Sequence, residues 1–124
     1  MKEHGTFSLT LIDKTVHSYP IDSFNQYGIE RYRDAVLAMA ACLNQWLLFE
    51  HPRNLAALTP DGLKALGDAY RAFEKAGCEA IAVEVAVLFK TVIERELAEV
   101  VKIPLMLDDS EARLSDFLSA MAPK

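Results

Sequence analysis

The residues best able to move protons are Glu50 and His51, which close the run "WLLFEH", and Glu84, which closes "EAIAVE". A carboxylate and an imidazole in shared reach can serve as acid and base if burial or a neighbour shifts their pKa. No third orienting group, nucleophile motif or oxyanion glycine accompanies them in the sequence. Solvated strand ends are therefore the expectation for Glu50 and His51, and an enzyme using Glu50, His51 and Glu84 is the competing reading. His4 falls in the chain start and His17 on what reads as an edge strand. No two histidines have metal-ligand spacing, and no HExxH or Asp-rich calcium loop occurs, so no metal or cofactor is expected. One hydroxyl stands out. Thr59 precedes Pro60 and Asp61 in "LTPDGLKAL", where it can cap a helix for about 1 kcal/mol or take a phosphate that the helix N-terminus would favour.

These residues must be held by elements that the hydrophobic pattern locates. From Phe7, alternation places Phe7, Leu9 and Leu11 on one side and Ser8 and Thr10 on the other, the mark of a strand with one wet face. Asp13-Lys14 reads as a turn into a second strand, "TVHSYPI", which should end at Pro20 or lie at an edge because proline donates no ladder hydrogen bond. The period then changes. Ile29, Tyr32, Val36, Met39, Ala40 and Leu43 recur every three or four residues, giving a helix to about Asn44. "WLLFE" is short and continuously apolar, as a strand buried on both faces would be.

The next helix starts at the Thr59-Pro60 junction, with proline suited to the first turn and Asp61 favoured by the helix dipole. Its buried stripe is Leu63, Leu66, Tyr70 and Phe73, and Gly77 marks its end. "EAIAVEV" is a further strand, followed by a helix expected to turn Leu88, Phe89, Val92, Ile93, Leu97 and Val100 inward. "IPLMLDD" is the last strand, and Ser110 caps a final helix carrying Leu114, Phe117, Leu118 and Met121. Helix-separated strands after an opening hairpin predict a largely parallel sheet.

Composition narrows the field. The 124 residues, 52% hydrophobic and 25% charged, suit one globular domain over residues 1–124. A net charge of −5, with 13 scattered basic residues, argues against a nucleic-acid partner, which calls for a basic stripe. No apolar run reaches the ~20 residues that span a bilayer, and the start lacks a signal-peptide core, so a cytoplasmic location is expected. Cys42 and Cys78 read as buried, reduced thiols.

The element order, with "WLLFEHPRNLAALTPDGLKALGDAYRAFEKAGCEAIAVEV" at its centre, resembles the STAS superfamily of bacterial anti-sigma-factor antagonists and transporter-tail domains. More narrowly it resembles the SpoIIAA-like branch of small bacterial proteins. The carrying features are "FN" before the first helix, the Trp opening the central strand, "TPDGLKAL", and the glycine after that helix. The resemblance implies an α/β fold in which a mixed, mostly parallel five-stranded sheet carries about four helices in β-β-α-β-α-β-α-β-α order.

In antagonist-type members the second helix opens with Asp-Ser-Ser-Gly-Leu, and a partner kinase phosphorylates one serine. Matched on Gly62 and Leu63, the serine positions hold Pro60 and Asp61, and the aspartate position holds Thr59. The phosphoacceptor serines are gone, so a phosphorylation-switched module is an alternative rather than the lead. SpoIIAA-like proteins are also compared in fold with CRAL-TRIO lipid-binding domains, which implies an apolar cavity or contact with a membrane surface. The leading expectation is a non-enzymatic regulatory or ligand-binding domain. An apolar small molecule or lipid would sit against Leu55, Leu58, Leu88 and Phe89, and a protein partner would meet Thr59, Asp61 and Lys64. A homodimer through the open edge of the first two strands is a further expectation.

Overall fold

The computed structural model describes residues 5–21, 24–53 and 59–122. Its elements run β1 (Leu9–Ile12), β2 (Thr15–Ser18), α1 (Gln26–Met39), β3 (Trp46–Glu50), α2 (Pro60–Lys75), β4 (Cys78–Glu84), α3 (Val87–Ala98), β5 (Leu105–Asp108) and α4 (Glu111–Met121). They form one five-stranded sheet in the order β1-β2-β3-β4-β5. β1 and β2 are an antiparallel hairpin turned through Asp13, whose φ is 54°. Every later neighbour is parallel. This is the expected mixed, mostly parallel sheet with four helices.

Sequential strand order dictates where the helices go. Each crossover advances one strand in the same direction, so crossovers of one hand all lie on one face. Side chains of α1, α2 and α3 pack with Val16, Trp46, Leu48, Ile81 and Val83 in the larger core. Leu114 and Leu118 of α4 pack instead on Leu47, Phe49, Ala80 and Ala82. The period-two alternation of β3 and β4 thus sends successive residues into two separate cores. All five residues of β3 are buried, as its uninterrupted apolar run required.

Local signals explain the helix ends. Asn25 accepts from the Gly28 amide at 2.9 Å and Ser110 from the Arg113 amide at 3.2 Å. At the start of α2, a Cβ on Gly62 would stand 2.7 Å from the Phe24 carbonyl oxygen, so only glycine lets the helix approach that loop. After α2, Gly77 takes φ +105°, the left-handed conformation that ends a helix without a Cβ penalty.

Four expectations are corrected. α1 stops at Met39 rather than near Asn44, because the chain turns to start β3, where the Trp46 amide bonds the Gly77 carbonyl. Cys42 consequently lies exposed after the helix, while Cys78 is buried. His17 is on an interior strand, since β2 lies between β1 and β3. Leu88, Phe89 and Val92 are exposed rather than inward, Leu88 by 80% and Phe89 by 47%. The reason is placement: α3 turns Leu97 into the core with Ile93 and Val100 beside it, and little of the sheet lies beneath its first turns.

Candidate functional site

Glu50 and His51 are consecutive, and the pleat sends them to opposite faces. Both are buried, Glu50 to 4% and His51 to 5% exposure. The expected solvated strand end is therefore replaced by two distinct buried environments, and the two groups cannot act on one substrate from a common side.

On the α1–α2–α3 face, Glu50 is held by tyrosines. Tyr70 Oη bonds Glu50 Oε1 and Tyr32 Oη bonds Glu50 Oε2, while Tyr32 Oη also lies 2.7 Å from Ser18 Oγ. Ser18 is beside Glu50 through the β2–β3 register, and α1 and α2 supply the tyrosines. Burial pushes the Glu50 carboxyl up to about 7, with the two tyrosine hydrogen bonds opposing that rise. Burial and the neighbouring carboxylate push both tyrosine hydroxyls well above their usual range, so they remain protonated donors. When Glu50 is ionised, both tyrosines donate to it. When it is protonated, its own O–H can donate to a tyrosine oxygen and the Tyr32 proton can turn to Ser18.

Above this carboxyl lies a cavity of ≈ 50 Å³ bordered by Pro20, Phe24, Pro52, Leu66, Val83 and Ile93, with Glu50 and the two tyrosines beneath. Its wall is almost wholly apolar, and its place is the carboxyl end of the parallel strands, where ligands of open α/β sheets collect. Ile93 is the α3 contribution. Phe89, one helical turn earlier, is exposed and does not line the cavity. Leu88 does not line the cavity. Leu55 and Leu58 lie outside the described residues.

On the α4 face, His51 sits in an aromatic stack. Its ring centroid is 3.9 Å from Phe49, 4.9 Å from Tyr19 and 5.3 Å from His17, with interplanar angles of 19°, 14° and 15°. His51 Nε2 meets His17 Nδ1 at 3.1 Å. His51 Nδ1 faces Glu84 Oε1 at 3.7 Å. Burial lowers the pKa of both histidines. Further along the same side, Arg113 of α4 grips Asp108 through two nitrogens and pushes its carboxyl down to about 2.

Thr59 is the predicted cap: its Oγ1 accepts from the Gly62 amide at 2.9 Å. Asp61 and Lys64 border a polar groove with Gln26, Glu30, Arg33 and Asp68, away from the apolar cavity. The partner residues and the ligand residues are thus not one site. Sequence reasoning passed over Ser18, Tyr32, Tyr70 and Glu111. A signal was available for the tyrosines, because a buried Tyr hydroxyl needs a partner and Glu50 ends an otherwise apolar buried strand.

No protein-family model and no curated protein matches the chain. Among solved structures it is similar to an uncharacterized protein of the DUF3478 family with a SpoIIAA-like fold from Shewanella loihica PV-4. The TM-score is 0.65, the identity 8%, and the match covers 95% of this chain and 96% of that one. At that identity the likeness is one of fold. The fold is SpoIIAA-like, as the residue pattern implied. Among the described residues no helix is long and apolar enough to cross a membrane.

Proposed function

We propose that this protein is a non-enzymatic binding domain whose apolar cavity, above Glu50, takes a small hydrophobic molecule bearing one neutral hydrogen-bonding group. The observation that carries this reading is the pairing of an apolar wall with a single buried carboxyl held by Tyr32 and Tyr70. Few, well-placed polar groups in an apolar pocket are what orients a small ligand. A carboxyl at the floor disfavours an anionic head group and accepts from a hydroxyl or amide. Both Glu50 oxygens are already bonded to tyrosines, and His51 faces away. That favours binding over proton transfer.

At ≈ 50 Å³ the cavity is far below the roughly 300 Å³ of an ordinary ligand pocket. Entry requires its α3 wall to move outward, and α3 is suited to that, since Leu97 is its sole fully buried residue among those described.

Native mass spectrometry of protein extracted gently from its host tests the proposal. One apolar adduct of small mass is expected, and Ile93→Trp, which fills the cavity from its wall, should remove it. A bare protein mass under conditions that preserve non-covalent complexes would overturn the reading. A co-purified protein chain in place of the small adduct would instead favour the partner surface at Thr59, Asp61 and Lys64.

A further inference from the structure

The α4 face holds a second set of groups that the apolar cavity does not use. His51 comes from the end of β3, Glu84 from the end of β4 and Glu111 from the first turn of α4. One ligand atom from each lies within 4.8 Å of the other two. Sequence spacing concealed this trio, because its members are 33 and 27 positions apart (84 − 51 and 111 − 84) and only the sheet register and the return of α4 unite them.

Two features make the trio more than a chance meeting of acids. First, the His51 ring is fixed. It is buried, stacked between Phe49 and Tyr19, and its Nε2 is engaged by His17 Nδ1 at 3.1 Å. Only Nδ1 is left to face the carboxylates. A histidine oriented through its other ring nitrogen is the arrangement that metal ligands show.

Second, the opening between His51 Nδ1 and Glu84 is wrong for a simple hydrogen bond. At 3.7 Å it exceeds the range over which an N–H is shared. If Nε2 carries the His51 proton and donates to His17, then Nδ1 presents a lone pair to the carboxylate oxygens, and the nearby cation, Arg53, lies over the Tyr19 ring at 5.7 Å. Among the described residues no lysine or arginine pairs with Glu84 or Glu111. Arg113, on the same helix as Glu111, is taken by Asp108 and Asp109.

We propose that His51 Nδ1, Glu84 and Glu111 form a binding site for a divalent transition-metal ion, with His17 positioning the His51 ring. One imidazole and two carboxylates suit zinc-class and manganese-class ions, and the nitrogen donor selects against magnesium and calcium. Bonds of ~2.0–2.2 Å to a tetrahedral ion set ligand atoms about 3.4 Å apart, so carboxylates now within 4.8 Å of the other ligand atoms must close in by up to about 1.4 Å. Glu111 is exposed and Glu84 half-buried, so both can make that adjustment. Three protein ligands leave a coordination position for water or a further group, the open form of a metal site.

Isothermal titration calorimetry of untagged, chelator-treated protein with Zn²⁺ is the test. One equivalent is expected to bind, and Mg²⁺ at the same concentration is expected not to. The double variant Glu84→Gln/Glu111→Gln should lose the site with its circular dichroism spectrum unchanged, since neither carboxylate is part of a core. His17→Phe keeps a ring in the stack but removes the Nδ1 partner, and should weaken Zn²⁺ about 10- to 100-fold. A purely structural His17 would leave the affinity unmoved. Absence of Zn²⁺ binding, retention of full affinity by the double glutamine variant, or equal affinity for Mg²⁺ would each overturn the proposal.

Discussion

Glu50 and His51 are neighbours in sequence, yet they occupy opposite physical worlds. Glu50 points into a dry layer of aromatic and aliphatic side chains, with two tyrosines and a serine as its polar company. His51 points to the thinner side of the sheet, where α4 packs over β3 and β4 but leaves room beside β2. There its company is a second imidazole and two carboxylates that reach water. The difference teaches that a strand end is not one site. A peptide unit of 3.3 Å rise carries one side chain into a low-dielectric pocket and the next into a screened, ionic rim.

The comparison is broken most severely by truncating the aromatic anchors. Tyr32→Ala removes a fully buried ring and one of Glu50's two donors, and should cost about 4 kcal/mol in denaturant unfolding. Tyr19→Ala on the opposite side, where the ring is only half-buried, should cost about 1 kcal/mol. Equal losses would erase the distinction between the two faces.

The pH dependence separates the faces by sign. Glu50 in the folded chain keeps its proton up to about 7 rather than 4.5, so the folded state binds a proton that the unfolded state has released. Its stabilising contribution is complete below pH 4.5 and disappears as pH rises through 7, on the order of 3 kcal/mol. His17 and His51 act oppositely, because their pKa values are lowered by folding. They add stability above their unfolded value of 6.5 and lose it as pH falls. Urea unfolding with a chelator present should show the Glu50 slope between pH 4.5 and 7, and Glu50→Gln should abolish it and uncover the opposite histidine slope.

Tyr70→Phe is a subtler probe of the dry side. It deletes one hydrogen bond to Glu50 while keeping the ring, and should cost roughly 2 kcal/mol at pH 8, where the carboxylate is charged. At pH 5 the loss should shrink to about 1 kcal/mol, since the bond then joins neutral groups. Smallest of all, Glu84→Gln on the wet side should change metal-free stability by less than about 0.5 kcal/mol by thermal melting, as expected for a half-exposed side chain outside any core. A loss above 2 kcal/mol would mean that the rim is as dry as the core.

The fold was legible from the chain because its signals are local. Alternation at Phe7–Leu11, the unbroken apolar run at Trp46–Phe49, the Thr59-Pro60 cap and Gly77 each depend on residues within a few positions of one another. The buried stripe of α2 was read correctly at Leu66, Tyr70 and Phe73. The α3 stripe misled for a physical reason. Apolar residues at helical spacing show which side of a helix is greasy, but not whether a sheet lies beneath it. Cys42 misled similarly, since an apolar context in sequence became an exposed turn once α1 ended at Met39.

The candidate sites were legible only in part. Glu50, His51 and Glu84 were visible as ionisable groups at strand ends, and their neighbourhood at the carboxyl edge of the sheet was predictable. Tyr32 and Tyr70 were visible as core positions but not as partners of Glu50, and Glu111 carried no signal beyond suiting a helix start.

By itself the sequence determined the order of elements, their caps and the burial of β3, because these follow from near-neighbour chemistry and the two backbone periods. Only the tertiary structure decided that Glu50 is tied by tyrosines from two helices, that His17 meets His51, and that Glu84 and Glu111 converge beside them. Those encounters depend on strand register and on which face each helix returns to, quantities fixed by the packing of the whole sheet rather than by any short segment.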